Sequence, residues 1–291
     1  MLEPTLLVHG GAGSIPLESQ AAHQQGCAAA AQAGGEILLA GGNAVEAVCA
    51  AVEVLEDNPI FNAGRGCALT LDGGVSLDSA VMCGYTLQAA GIGGIGPFKN
   101  PVRIAQKLMP KKEVLLVGPQ AEVWALRHGF EPVPKEDLVT EKVLAVWRDV
   151  VENGGTGNFA GGTVGAVCRD AAGHMAAATS TGGTMGKTPG RIGDSPLIGA
   201  GTFADEKCAV SATGEGESFI RSVFAGQLAC AIRDGVGPKE ALQALLIRVR
   251  DVYHGVGGAI LLTVDGPPIP LCTTETMSWA TWTPTEVRSG I

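Results

Sequence analysis

Period-two apolar runs come in adjacent pairs joined by tight turns in this chain, and that pairing restricts the fold more than any other feature. Cys67, Leu69 and Leu71, then Val75 and Leu77, flank an Asp72-Gly73 turn, a strong hairpin signal. Val164 to Asp170 and Met175 to Thr181 flank Ala171-Ala172-Gly173 in the same way. Further strands are predicted at 5–8, 114–117, 208–213, 258–264 and 269–273. Two helices are predicted before Asn58-Pro59. The second opens with Asn43 as N-cap and Glu46 three residues on, a capping box, and repeats Val45, Val48, Val52 and Leu55 along one face. Helical spacing also marks 120–128, 136–152, 217–234 (stopped by Gly235) and 239–253, the last with Pro238 in its first turn. Strands in hairpins and helices in pairs favour antiparallel sheets with helices packed outside over a doubly wound parallel sheet.

Composition narrows the partners. Hydrophobic residues at 46% against 17% charged can bury a large core and argue against disorder. The net charge of -9, with no basic run, argues against nucleic acid or an anionic membrane and leaves a small-molecule substrate. No apolar stretch reaches the roughly 20 residues of a membrane span. Met1-Leu2-Glu3-Pro4 lacks the pattern of a signal peptide, so the expected location is cytoplasmic. The 8 cysteines form no C-x-x-C pair and read as buried small residues; the 5 histidines show no metal-ligand spacing.

Several familiar signatures fail. His9-Gly10-Gly11-Ala12-Gly13, read as a loop after the first strand, is no dinucleotide fingerprint, because Pro16 stands where a third glycine is required. There is no G-x-S-x-G and no H-E-x-x-H. Thr181 to Thr188 misses a phosphate-binding loop by its first glycine. What remains is rich in Gly and Thr: Gly162-Thr163-Val164-Gly165, Thr179-Ser180-Thr181-Gly182-Gly183, Gly190-Arg191-Ile192-Gly193-Asp194-Ser195-Pro196 and Thr213-Gly214-Glu215-Gly216-Glu217. Before the first of these, Glu152 to Gly162 holds five glycines, the composition of a surface linker or of a processing site.

These segments, with His9-Gly-Gly-Ala-Gly13, Asn58-Pro59-Ile60-Phe61-Asn62-Ala63-Gly64-Arg65-Gly66 and Lys99-Asn100-Pro101, run through essentially the whole chain. In order and spacing they resemble the plant-type (type 2) L-asparaginase / isoaspartyl peptidase family of N-terminal nucleophile hydrolases. The resemblance implies an α+β fold, a four-layer αββα sandwich of two mainly antiparallel sheets between helical layers. It also implies one domain that matures by self-cleavage into 1–162 and 163–291.

The residues themselves are consistent with such chemistry. A threonine hydroxyl needs a neighbouring base, and cutting Gly162–Thr163 would give Thr163 a free α-amine of pKa ~7.7–8.0, able to take the hydroxyl proton. Gly162, lacking Cβ, is expected to adopt the strained backbone that such a cut requires.

Carried over by resemblance, Thr163 attacks the side-chain carbonyl of asparagine or of a β-aspartyl dipeptide, and Thr181 hydrogen-bonds the nucleophile. Thr213 and Gly214 form the oxyanion hole, and Asn62 lies near the nucleophile. Arg191 takes the substrate carboxylate, Asp194 its ammonium, and the Gly216 carbonyl accepts from the same amine. Leu55, Glu56, Asn58, Phe61, Ala63 and Arg65 correspond to a loop whose backbone carbonyls hold a structural sodium ion; no organic cofactor is expected. A homodimer of αβ units is implied.

The chain departs from the family at Cys83, at the inverted Ser79-Ala80 pair and at Thr276, none of them assigned to acyl transfer. Glu215 adds a negative charge near the expected pocket mouth. Two alternatives stay open. One is a glycosylasparaginase, against which stand Gly162, Thr181-Gly182-Gly183 and the missing secretory signal. The other is a silent, uncleaved relative that only binds, against which stand the intact Thr163, Thr181, Arg191, Asp194 and Thr213.

Overall fold

The computed structural model describes residues 2–154 and 162–291. The glycine-rich stretch read as a linker or processing site therefore lies, from 155 to 161, outside the described residues. The elements up to residue 154 are β1 (Thr5–Gly13), α1 (Leu17–Leu39), α2 (Ala44–Asp57), β2 (Leu77–Cys83), β3 (Ala89–Ile95), α3 (Pro101–Leu108), β4 (Leu115–Val117), α4 (Gly118–Arg127), α5 (Lys135–Leu138) and α6 (Glu141–Asn153). Then come β5 (Val164–Arg169), β6 (Met175–Thr181), β7 (Thr202–Ala204), β8 (Cys208–Gly214), α7 (Gly216–Ser222), α8 (Phe224–Arg233), α9 (Pro238–Tyr253), β9 (Gly257–Thr263), β10 (Ile269–Cys272), β11 (Thr276–Thr283) and β12 (Glu286–Gly290).

The strands form an eight-stranded sheet in the order β12-β11-β1-β5-β6-β2-β3-β4 and a four-stranded sheet in the order β10-β9-β8-β7. Every pairing is antiparallel except β3 with β4.

Three apolar clusters define the layers. Leu6, Val8, Val164, Ala166, Cys168, Ala176 and Ala178 point from the large sheet toward Cys27, Ala30, Val48, Val52 and Leu55 of α1 and α2. Alternate residues of the same strands, Leu7, Val167, Met175 and Ala177, meet Ala209, Ile260 and Leu262 of the small sheet. On its far side the small sheet packs Val210, Ala212, Ala259 and Leu261 against Phe219, Phe224, Leu228, Leu242 and Leu246 of α7, α8 and α9. This is the expected αββα sandwich. Sheets covered on both faces leave little room for bulk, so β6 is built as Met-Ala-Ala-Ala-Thr-Ser-Thr and fully buried.

The capping box of α2 forms as read: Glu46 N donates to Asn43 Oδ1 at 3.0 Å, and Asn43 N to Glu46 Oε2 at 3.3 Å. The Val164–Thr181 hairpin forms too, Val164 opposite Ser180.

Other expectations need correcting. The His9–Gly13 segment is not a loop but the second half of β1, with a bulge between His9 and Ala12. The Asp72-Gly73 turn closes only an isolated bridge, Leu69 opposite Val75, because the Thr70 hydroxyl accepts from Gly74 N at 2.8 Å and competes with a ladder. The helix read over 136–152 is two: α5 stops at Leu138, and Thr140 caps α6 by accepting from Val143 N at 3.2 Å. The helix read over 217–234 breaks at Val223, a non-glycine residue at φ 48°.

Strands β2, β3, β7, β11 and β12 and helix α3 were not read as such from the sequence. Of the cysteines, Cys27, Cys49, Cys67, Cys168 and Cys208 are buried as expected, Cys83 and Cys272 half-buried, and Cys230 exposed. No described helix is long and apolar enough to cross a membrane.

Trp282 of β11 lies flat against α1 at Gly35, where a Cβ would sit 2.1 Å from the indole Cε2. Alanine would gain about 1 kcal/mol of helix propensity there, but forcing apart a buried ring contact costs about 1–3 kcal/mol. Gly35→Ala should therefore lower the urea midpoint with an unchanged m-value; a raised midpoint would show that α1 moves freely over β11.

Candidate active site

Strands β5 and β6 bring the predicted nucleophile to its partner. Thr163 immediately precedes β5 and Thr181 ends β6, so the hairpin sets the two side by side. Thr163 Oγ1 donates to Thr181 Oγ1 at 3.0 Å, and Thr181 Oγ1 accepts from Gly183 N at 2.9 Å. Both threonines are buried. They open into a cavity of about 200 Å³ shared with Asn62, Gly162, Arg191, Asp194, Thr213, Gly214 and Glu215. With ~30 Å³ per water in the liquid, that is room for an amino-acid-sized ligand.

The facing wall comes from the small sheet. Thr213, near the end of β8, accepts from Ala12 N of β1 at 3.2 Å, which leaves its own proton free to donate into the cavity. Gly214 follows at φ 145°, a conformation that favours glycine. A Cβ there would also lie 2.4 Å from the Val256 carbonyl oxygen. The bulge of β1 thus sets the edge of one sheet against the end of the other.

Asn62 is held rather than free. Its Nδ2 donates to the Gly183 carbonyl and its Oδ1 accepts from Ala68 N, both at 2.7 Å, while its carbonyl accepts from Gly182 N at 2.9 Å. Asn62 therefore fixes the turn after Thr181.

Buried Lys187 braces the same turn from behind, donating to Ser76 O at 2.6 Å and Gly182 O at 2.8 Å, and burial holds its ammonium pKa below the usual lysine value. Asp78, fully buried, accepts from Gly94 N at 2.8 Å and Gly193 N at 3.1 Å and so anchors the Arg191–Asp194 segment. Neither Lys187, inside the Thr181–Thr188 segment, nor Asp78, next to the Ser79-Ala80 pair, has a role that the sequence discloses; nothing in their spacing encodes these contacts.

Arg191 and Asp194 do converge on the cavity, with one partner the sequence reading missed. Arg191 donates from Nε and Nη2 to Glu217 Oε1 and Oε2, both at 2.9 Å, leaving Nη1 unpaired among the described residues. This pairing holds the Glu217 carboxyl below its usual range. Asp194 is 3% exposed, and Oδ2 has no protein partner among the described residues. Burial pushes its carboxyl up to about 7, against the pull of Arg191. Gly216 does not line the cavity but sits behind the clamp, where a Cβ would lie 2.9 Å from both Arg191 Nη2 and Asp194 Oδ1.

Gly162 is held by a close approach that leaves no room for a side chain: a Cβ on it would lie 2.7 Å from Gly11 Cα, so the two glycines meet backbone to backbone.

Between the sheets, His9 Nε2 lies 2.9 Å from Ser211 Oγ, Ser211 Oγ 2.7 Å from Thr179 Oγ1, and Thr202 Oγ1 2.6 Å from Thr179 Oγ1. Burial lowers the His9 pKa to about 3, so the ring is neutral and structural at ordinary pH.

The turn after α2 gathers carbonyl oxygens. A Cβ on Gly66 would lie 2.5 Å from Pro59 O and 2.7 Å from Phe61 O; one on Gly64 would lie 2.7 Å from Glu56 O and 2.8 Å from Lys99 O. Such an oxygen-only cradle fits a hard monovalent cation. Asn58, Ala63 and Arg65 belong to the same turn and Leu55 to the last turn of α2, with Arg65 N donating to Glu56 O at 2.7 Å. The buried Glu56 side chain ties this turn to β6, accepting from Ser180 Oγ at 2.6 Å and from Val102 N at 3.0 Å.

Of the departures, Cys83 lines a different cavity, with Tyr85 and His174. Thr276 donates to Gly13 O and accepts from Ile15 N, both at 2.9 Å, bracing the end of β1.

Comparison with known proteins bears on the family. A family model described as asparaginase matches residues 2–290. An isoaspartyl peptidase/L-asparaginase of Xenopus laevis is 37% identical over 100% of this chain and 96% of its own length. The Homo sapiens protein of that name is also 37% identical, with the same coverage. An isoaspartyl peptidase of Escherichia coli (strain K12) is 38% identical over 91% of this chain and 88% of its own length.

Asp194 offers a direct check of these electrostatics. Its folded pKa lies above the unfolded value of 3.8, so its contribution to stability is fully present below that value and is lost as pH rises through about 7. Carboxyl NMR titration should show an inflection near 7 that Asp194→Asn removes, beside that of buried Glu56, whose carboxyl burial pushes up to about 8 and which the substitution leaves in place. An Asp194 inflection at an ordinary acidic pH would contradict the buried geometry.

Proposed function

The chain belongs to the asparaginase family, and on that premise we propose that it hydrolyses the side-chain amide of L-asparagine and the β-aspartyl bond of isoaspartyl dipeptides, with Thr163 as nucleophile. The observation that carries this reading is the 3.0 Å hydrogen bond between Thr163 and Thr181 inside a cavity that also receives Arg191, Asp194 and Thr213. Fold membership alone would not suffice, since function rests on the site.

Maturation comes first. Thr163 Oγ1 attacks the Gly162 carbonyl carbon, the Gly162–Thr163 C–N bond breaks as nitrogen takes a proton, and water hydrolyses the resulting ester. The products are a Gly162 carboxylate and a free Thr163 amine. The intimate Gly11–Gly162 contact supports this step by holding the scissile carbonyl against β1.

In turnover the amine accepts the Oγ1 proton while Oγ1 attacks the substrate side-chain carbonyl. The Thr213 hydroxyl and Gly214 N–H stabilise the developing oxyanion. The proton passes to the departing nitrogen, and water then resolves the acyl-enzyme to aspartate. The free edge of Arg191 takes the substrate carboxylate and Asp194 the ammonium, which aims the carbonyl at Thr163. Thr181 orients the nucleophile, and Asn62 and Gly216 keep turn and clamp in place.

The reading includes a structural sodium ion held by the carbonyls of the 55–65 turn, where it would supply rigidity and no chemistry. It includes no organic cofactor. It places the enzyme in the cytoplasm as a homodimer of αβ units.

Intact-mass measurement with N-terminal sequencing should find a new terminus at Thr163 and fragments 1–162 and 163–291. Thr163→Ala should abolish both self-cleavage and hydrolysis while keeping the fold. An intact wild-type chain with full activity would overturn the assignment.

Thr213→Val should lower kcat by about 10²–10³ if its hydroxyl is an oxyanion donor. Aspartate release from β-aspartyl-leucine, but not from a glycosylated asparagine, separates this activity from glycosylasparaginase.

A further inference from the structure

Burial along the cavity wall separates the two ends of a bound substrate. Thr181, Asp194 and Thr213 are almost fully buried at its base, whereas Thr184 and Glu215 are exposed at its rim. If Arg191 and Asp194 hold the carboxylate and ammonium at the base, the group leaving with the amide nitrogen must project toward the rim. Only three of the described lining residues are charged: Arg191, Asp194 and Glu215. The first two are engaged at the base, so Glu215 is the charged side chain at the exit.

Its position is determined by the backbone. Glu215 N donates to Val256 O at 3.0 Å, and its own carbonyl accepts from Ser218 N at 2.9 Å, which pins the residue between β8 and α7. The carboxylate lies over Gly255, where a Cβ would stand 3.3 Å from Oε2. Glu217, two residues on, is neutralised by Arg191. Among the described residues no ion pair compensates Glu215.

We propose that Glu215 selects the leaving group, favouring β-aspartyl dipeptides that end in lysine or arginine over those that end in aspartate or glutamate. The inference rests on the hydrolase reading above and deepens it. Every such dipeptide carries the same leaving α-carboxylate, so the comparison isolates the side-chain charge. At an exposed rim the attraction is of surface-pair size, about 0.2–1 kcal/mol, and repulsion of an acidic side chain is comparable, which together amount to a preference between about two- and thirtyfold, with about five- to tenfold in the middle of that range. Salt should weaken it.

The test is kcat/KM for β-aspartyl-lysine, β-aspartyl-leucine and β-aspartyl-glutamate with the mature wild type, Glu215→Gln and Glu215→Lys, at low and high ionic strength. The expected result is a lysine-to-glutamate ratio of about five or more in the wild type at low salt. It should approach one in Glu215→Gln or at high salt, and invert in Glu215→Lys. Because the ratio is taken within each protein, partial misfolding of a variant cancels. A wild-type ratio near one, or a ratio that Glu215→Gln leaves unchanged, would overturn the role of Glu215 while β-aspartyl-leucine turnover upheld the hydrolase. Failure of the wild type to cleave any of the three would overturn both.

Discussion

Strand β5 is hydrogen-bonded on both sides, by β1 and by β6, and the rest of the site depends on that double pairing. It fixes Thr163 at the mouth of the sheet, next to Thr181, without reference to whatever precedes it in the chain. It also interleaves the two parts of the sequence. In the order β12-β11-β1-β5-β6-β2, β1 lies between strands from beyond residue 163, and β6 hands over to β2 from before it. A break at Gly162–Thr163 would leave two fragments whose strands alternate in one sheet, so separating them would strip the ladders on both sides of β1. Such a sheet is suited to a nucleophile whose own amine is made by cutting the chain.

The interface between the sheets is the second constraint. Its apolar part sets Leu7, Val167, Met175 and Ala177 of the large sheet against Ala209, Ile260 and Leu262 of the small one. Its polar part, His9, Ser211, Thr179 and Thr202, links β1, β8, β6 and β7 through successive short contacts. Each of these contacts sets a particular donor opposite a particular acceptor, so the network fixes register more sharply than apolar packing does. Here the register matters, because Thr181 and Thr213 come from different sheets and must share one cavity.

Charge inside that cavity is arranged economically. Glu217 occupies one edge of Arg191, so the guanidinium is oriented before any ligand arrives and keeps Nη1 for a second carboxylate. Burial, helped by the nearby Asp78 and Glu217 carboxylates, raises the Asp194 carboxyl to about 7, so that it ionises readily when a cation is placed beside it. Both effects need the neighbourhood of Gly216, where any side chain would displace the clamp.

What the sequence by itself determined was local or chemical. The capping box at Asn43, the Val164–Thr181 hairpin and the antiparallel, helix-covered class follow from turn chemistry and periodicity, which act over a few residues. The candidate site was legible because Gly162-Thr163, Thr181, Arg191-x-x-Asp194 and Thr213-Gly214 are unusual combinations in a fixed order, and the fold gathers them around one cavity.

Tertiary structure decided what depends on approach between distant segments. Pairing with β5 and β11 made His9–Gly13 a strand; a competing hydroxyl at Thr70 reduced the Asp72-Gly73 hairpin to one bridge. The close approach of Gly162 to Gly11, over a hundred residues away in the chain, is likewise a product of the packed fold. Glu217, Lys187 and Asp78 joined the site through contacts that no spacing encodes. Short-range steric and hydrogen-bonding preferences can be read from neighbours in the chain, whereas burial, and the close approach and shifted protonation it brings, exists only once the layers have packed.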